Sequence, residues 1–164
     1  MSFPCAMTLR NTAEGSRIFR WPVKEITRLY DGRRMELNNL LFQPRENQLA
    51  KLKGDLWDIQ AEFEIKDASG FGFRIRGEAV TYSVKDKKLR ALGREAPLEP
   101  ENGRVKIRVL VDRTSLETFG NGGRVSLSSC FLPRQRNREI ELFTAGGAVK
   151  IVSLTAHKLR SIWK

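Results

Sequence analysis

The sequence predicts an all-β domain, a sandwich or a barrel with one short helix, and three observations carry that prediction. Several short stretches alternate apolar and polar residues with a period of two, the pattern of strands that bury one face. Turn-forming residues such as Lys85-Asp86-Lys87 and Gly146-Gly147 separate these stretches. Helical spacing is confined to one segment, residues 22–29. Many short strands and almost no helical periodicity leave a sandwich or a barrel as the architectures that bury the apolar faces.

The single helix is predicted at residues 22–29, where Pro22 suits a helix start and Val23, Ile26 and Leu29 recur at helical spacing. Trp57, Ile59, Ala61, Phe63 and Ile65 alternate without a break against Asp58, Gln60, Glu62 and Glu64, so that strand has an apolar inner face and a polar outer one. After Asp67, Ser69 and Gly70, the residues Phe71, Phe73 and Ile75 resume the alternation against Arg74 and Arg76. A hairpin is expected here, with Glu62 and Glu64 facing Arg74 and Arg76 across the strands, each exposed pair contributing at most ~0.2–1 kcal/mol. Val80, Tyr82 and Val84 form the next strand. Val105, Ile107, Val109 and Val111 then alternate with Lys106, Arg108 and Leu110. Residues 112–119 lead from that strand into Asn121-Gly122-Gly123, where Asn-Gly supplies the positive φ angles of a tight hairpin turn, and a second strand leaves at Arg124. The last strands read at Ile140 to Leu142 and Val149 to Ile151.

At 164 residues the chain is long enough to bury a core without staples, and 40% hydrophobic with 30% charged residues is ordinary for a folded domain. No apolar run approaches the ~20 residues of a membrane span, and no membrane partner is expected. The N-terminus lacks a charged region followed by an apolar signal core. The net charge of +11 raises nucleic acid as a partner. Basic residues gather at Arg10, Arg17, Arg20, Lys24, Arg28, Arg33 and Arg34, and again at Arg134, Arg136 and Arg138, but they are mixed with Glu14, Glu25 and Asp31. A solvated face or a docking surface for an acidic neighbour is the expectation instead. Cys5 and Cys130 fit no metal spacing and are expected as two small buried thiols rather than a disulfide. His157 is the sole histidine, so a zinc site or a Ser-His-Asp triad lacks partners, and it is expected half-exposed on the last strand. Gly70-Phe71-Gly72 and Gly120-Asn121-Gly122-Gly123 fit neither dinucleotide nor Walker spacing and read as turns; no cofactor is implied.

The segment VDRTSLETF, residues 111–119, with its Asn-Gly-Gly turn, resembles the signature of the C-terminal β-sandwich module of family 32 glycoside hydrolases, the invertases, levanases, inulinases and fructan exohydrolases. Residues 2–26, SFPCAMTLRNTAEGSRIFRWPVKEI, look like the passage where the last strands of the five-bladed catalytic propeller hand over to a linker. Residues 145–163, AGGAVKIVSLTAHKLRSIW, look like the closing strand and terminal Trp. The resemblance implies a two-sheet antiparallel β-sandwich of concanavalin A-like or jelly-roll type, with residues 1–34 as propeller-end strands and linker and 35–164 as the module. Met1 is then expected as an internal start, after hundreds of upstream residues.

Family 32 enzymes carry their nucleophile, stabiliser and general acid in Asn-Asp-Pro, Arg-Asp-Pro and Glu-Cys boxes on the propeller. This sequence has no Asp-Pro, Asn-Asp or Glu-Cys dipeptide, so no catalytic residue is assigned. The resemblance therefore implies a non-catalytic module that supports or orients a catalytic propeller or mediates oligomer contacts. Asp112, Arg113, Glu117, Phe119, Asn121 and Gly122 are its structural signature, with Arg113 in reach of either acid. Asp112 and Glu117 as a glycosidase carboxylate pair, which needs ~5–10 Å separation, is the weaker reading. The alternative is a fructan-binding module for levan or inulin, with Trp21, Tyr30, Tyr82 and Trp163 as candidate sugar-facing rings. Two exposed rings on one sheet face would favour sugar; rings gathered at the linker would favour docking.

Overall fold

The structure, a computed structural model, describes residues 3–133 and 138–162. An N-terminal hairpin, β1 (Cys5–Thr12) and β2 (Gly15–Pro22), leads through a 3-10 helix (Lys24–Leu29) into β3 (Tyr30–Phe42) and β4 (Trp57–Ile65). Then come β5 (Gly70–Ile75), β6 (Glu78–Ser83), β7 (Lys88–Ala91), β8 (Arg94–Pro97), β9 (Arg104–Val111) and β10 (Ser115–Gly120). After a short 3-10 turn (Asn121–Gly123), β11 (Val125–Cys130), β12 (Ile140–Ala145) and β13 (Val149–Leu159) complete the fold. Two antiparallel sheets, ordered β11-β10-β9-β4-β13-β3 and β12-β5-β6-β7-β8, face each other, and the hairpin stands as a separate two-stranded sheet.

The inner face of β4 packs as the alternation requires. Trp57, Ile59, Ala61 and Phe63 are buried, and Ile65 packs at the margin. Phe71, Phe73 and Tyr82 rise from the opposing sheet, with ring centroids 4.8 Å apart for Phe63 and Phe71 and 5.3 Å for Phe71 and Tyr82. Each such side chain removed from water contributes roughly 1.5–3 kcal/mol. The Tyr82 hydroxyl donates to the Leu98 carbonyl at 3.0 Å, which removes the cost of burying it.

Several expectations are corrected. β4 and β5 are consecutive but lie in different sheets, because their apolar faces meet across the core rather than side by side. Glu62 and Glu64 therefore pair with Arg104, while Arg74 meets Glu141 and Arg76 meets Asp55. Gly70-Phe71-Gly72 opens β5 instead of forming a turn; a Cβ on Gly72 would sit 2.0 Å from the Val80 carbonyl oxygen, so close cross-strand approach explains the glycine. The helix is 3-10 and starts at Lys24, with Pro22 ending β2. Its apolar spacing of three, Val23, Ile26 and Leu29, matches three residues per turn. Residues 115–120 form a strand of their own, and Asn121 and Gly122 adopt φ of 43° and 65°, the positive angles predicted for the turn. Both cysteines are free thiols, but Cys130 is exposed on edge strand β11 rather than buried. His157 is half-buried on β13.

Candidate functional site

Register places Asp58, Leu110 and Glu117 in one row across β4, β9 and β10, and Gln60, Arg108 and Phe119 in the next. This is the outer face of the six-stranded sheet, which alternation assigns to solvent. The N-terminal segment covers it instead. Ile26, Leu110 and Phe119 form a second, small buried cluster, with Phe3, Cys5, Trp21 and Leu29 packed around it. Trp21 meets Phe119 edge-on, with centroids 5.8 Å apart at 68°, and the Arg108 guanidinium lies 5.0 Å from the Trp21 ring centroid.

Two carboxylates are buried beneath this cover. Asp58 is held by a two-pronged contact from Arg108, Nε to Oδ1 at 2.9 Å and Nη2 to Oδ2 at 2.7 Å, and the Tyr30 hydroxyl donates to Oδ2 at 2.8 Å. Burial first, and then the neighbouring Asp58 carboxylate, push the Tyr30 hydroxyl well above the ordinary tyrosine range, while its ring stacks on His157 at 4.0 Å. Glu117 accepts the Phe3 backbone N–H at 2.5 Å and faces Arg20 Nη2 at 3.2 Å. Cys5 lies in the same cluster: burial raises its thiol, and the nearby Arg20 opposes that rise. At the end of β10, the Asn121 side chain accepts from the Lys106 N–H at 2.9 Å and donates to the Glu99 carbonyl at 2.8 Å. Gly123 lies against β2, where a Cβ would meet the Arg20 carbonyl oxygen at 2.2 Å.

Of the candidate sugar-facing rings, Trp21 and Tyr30 gather at this linker joint, each half-buried with a ring face on a protein neighbour. Tyr82 is fully buried in the core, and Trp163 lies outside the described residues. Glu117 and Phe119 of the signature belong to the joint, and Asn121 and Gly122 to the turn beside it. Asp112 caps the β9–β10 turn by accepting the Arg113 N–H at 2.7 Å. The Arg113 guanidinium reaches Ser161 at 3.5 Å and pairs with neither Asp112 nor Glu117, because Glu117 turns under the linker to Arg20. Two open hollows, about 420 and 440 Å³, lie at Thr81, Arg90 and Glu95 and at Glu62, Glu101 and Arg104; neither has an aromatic wall. Sequence reasoning missed Asp58, Arg108 and Arg20. Their one signal was charge on strands whose outer face proved to be covered.

Two antiparallel sheets with an N-terminal segment packed on the outer face of one of them define a β-sandwich module. The chain matches the family model Glycosyl hydrolases family 32 C terminal over residues 27–158, and it belongs to that family. It is 37% identical to the levanase of Bacillus subtilis (strain 168) over 99% of this chain and 27% of that protein. It is also 34% identical to the levanase of Bacillus sp. (strain L7), covering 20% of it. The chain thus spans about a quarter of these relatives. Among solved structures, the fold is similar to exo-inulinase from Aspergillus awamori, with a TM-score of 0.84 and 21% identity over 99% of this chain and 36% of that one. Fructan 1-exohydrolase IIa from Cichorium intybus gives a TM-score of 0.72 and 17% identity, with 94% of this chain and 40% of that one covered.

Proposed function

We propose that the chain is a non-catalytic supporting module of a fructan-hydrolysing glycoside hydrolase, and that its N-terminal hairpin is where the catalytic propeller attaches. The carrying observation is the state of that hairpin. Met7, Leu9 and Ile18 are 75%, 69% and 63% exposed, with Leu9 directly opposite Ile18, while Phe19 of the alternate parity is buried. A two-stranded sheet with apolar side chains on an open face is marginal alone, and such a patch marks a contact surface. Residues 1–34 then act as propeller-end strands and linker, although β3 begins at Tyr30 and joins the sandwich sheet. The clustering of Trp21 and Tyr30 at the joint supports docking over direct sugar binding.

Two assays on the purified chain test this. Incubation with levan, inulin or sucrose is expected to release no fructose. Native gels containing levan or inulin, run for a basic protein, are expected to leave its mobility unchanged. Fructose release, or selective retardation by one polysaccharide, would overturn the reading.

A further inference from the structure

We infer that Glu117 is a positioning residue that sets the angle of the N-terminal hairpin on the sandwich. This rests on the reading that the hairpin carries a catalytic partner. The two carboxylates buried on the outer sheet face differ in where their compensation comes from. Asp58 takes its guanidinium from Arg108 on the neighbouring strand of the same sheet. Glu117, 1% exposed, takes its cation from Arg20 on β2 and its strongest amide donor from Phe3, just before β1. The sheet's own contribution is Ser128 Oγ at 3.5 Å.

One carboxylate thus grips both arms of the hairpin, Oε1 on the chain entering β1 and Oε2 on the strand leaving it. Two attachment points fix an orientation, where one would fix only a distance. Arg20 is held a second time through its backbone, because only a residue without Cβ fits at Gly123 against the Arg20 carbonyl. A further tie at the hairpin tip, Arg124 to Glu14 at 2.6 Å, involves a half-exposed acid and contributes little. The Glu117 carboxylate is 2% exposed against 49% for Glu14, so its contacts are less screened and are the stronger restraint.

The test is residue-resolved amide exchange on the 164-residue chain bearing Glu117→Gln, Arg20→Met or both. Each single substitution is expected to speed exchange of Phe3 and of the β1–β2 amides at least tenfold while β4, β9 and β13 keep their protection. The double variant is expected to be no faster than the faster single one, since both remove one clamp. Unchanged β1–β2 exchange in the Glu117→Gln chain would overturn the inference. So would equal acceleration in the sandwich strands, which would make Glu117 an ordinary structural residue. No partner is present in this experiment, so its failure is distinct from failure of the docking reading, which is tested with a catalytic propeller present.

Discussion

Asp58 shows how much one outer-face residue can carry. Its carboxylate is fully buried yet satisfied by three donors from Arg108 and Tyr30, so removing it leaves a buried guanidinium without its partner. Asp58→Ala is expected to lower stability by about 3–5 kcal/mol. Asp58→Ala combined with Arg108→Met should cost less than the sum of the singles, and urea denaturation of the four chains checks both statements. Tyr82 supplies a pH test. Burial, reinforced by Glu99, pushes its hydroxyl up to about 12, against roughly 10 in an unfolded chain. The folded state therefore holds the proton more tightly, so this contribution is complete below pH ~10 and is lost as pH rises towards 12. Tyr82→Phe removes the Leu98 hydrogen bond, at a cost of about 1 kcal/mol at neutral pH. It should also flatten the alkaline loss of stability, as read from denaturant midpoints between pH 9 and pH 11.

At the scale of elements, the hairpin depends on the turn that follows β10. Gly123→Ala places a methyl group 2.2 Å from the Arg20 carbonyl at a φ of +92°, so β2 must lift from the sandwich. The expected cost is about 2 kcal/mol, within the usual range for backbone strain, accompanied by faster proteolysis within residues 5–22 and little change in the sandwich. Elements whose identity rests on local periodicity were legible in the sequence: β4, β6, β9 and the Asn121–Gly122 turn follow from alternation and turn chemistry. What local pattern does not encode is which strands share a sheet. Glu62 and Arg74 have complementary charges and short sequence separation, yet their strands are split by the need to bury Phe63 against Phe71 and Phe73. The joint was legible only in part. Trp21, Tyr30, Glu117 and Phe119 stood out by residue type or signature. The burial of Asp58 and Glu117 depends on a segment that folds back over 97 residues of chain from β10 to Arg20, a long-range fact that no period of two records.

For the whole molecule, two cores of unequal size divide the labour. The large one lies between the sheets and holds them together, and the small one around Ile26, Leu110 and Phe119 fastens the linker to the sandwich. Beyond that fastening, the exposed Met7, Leu9 and Ile18 are the surface expected to meet the catalytic propeller. Leu9→Asp with Ile18→Asp should cost the isolated chain no more than about 1 kcal/mol, the repulsion of two like charges directly opposite on the hairpin, because both side chains are already in water and neither belongs to a buried cluster. The decisive measurement is a chimera of the Bacillus subtilis levanase in which this chain replaces the stretch it matches. Its thermal inactivation is compared with that of the enzyme truncated at the same point and of the chimera carrying both aspartates. A supporting module predicts that the chimera outlasts the truncated enzyme and that the two aspartates return it to the truncated behaviour with fructan affinity unchanged. A chimera as labile as the truncated enzyme, or one indifferent to the aspartates, would contradict the assignment of the hairpin as the propeller's attachment point.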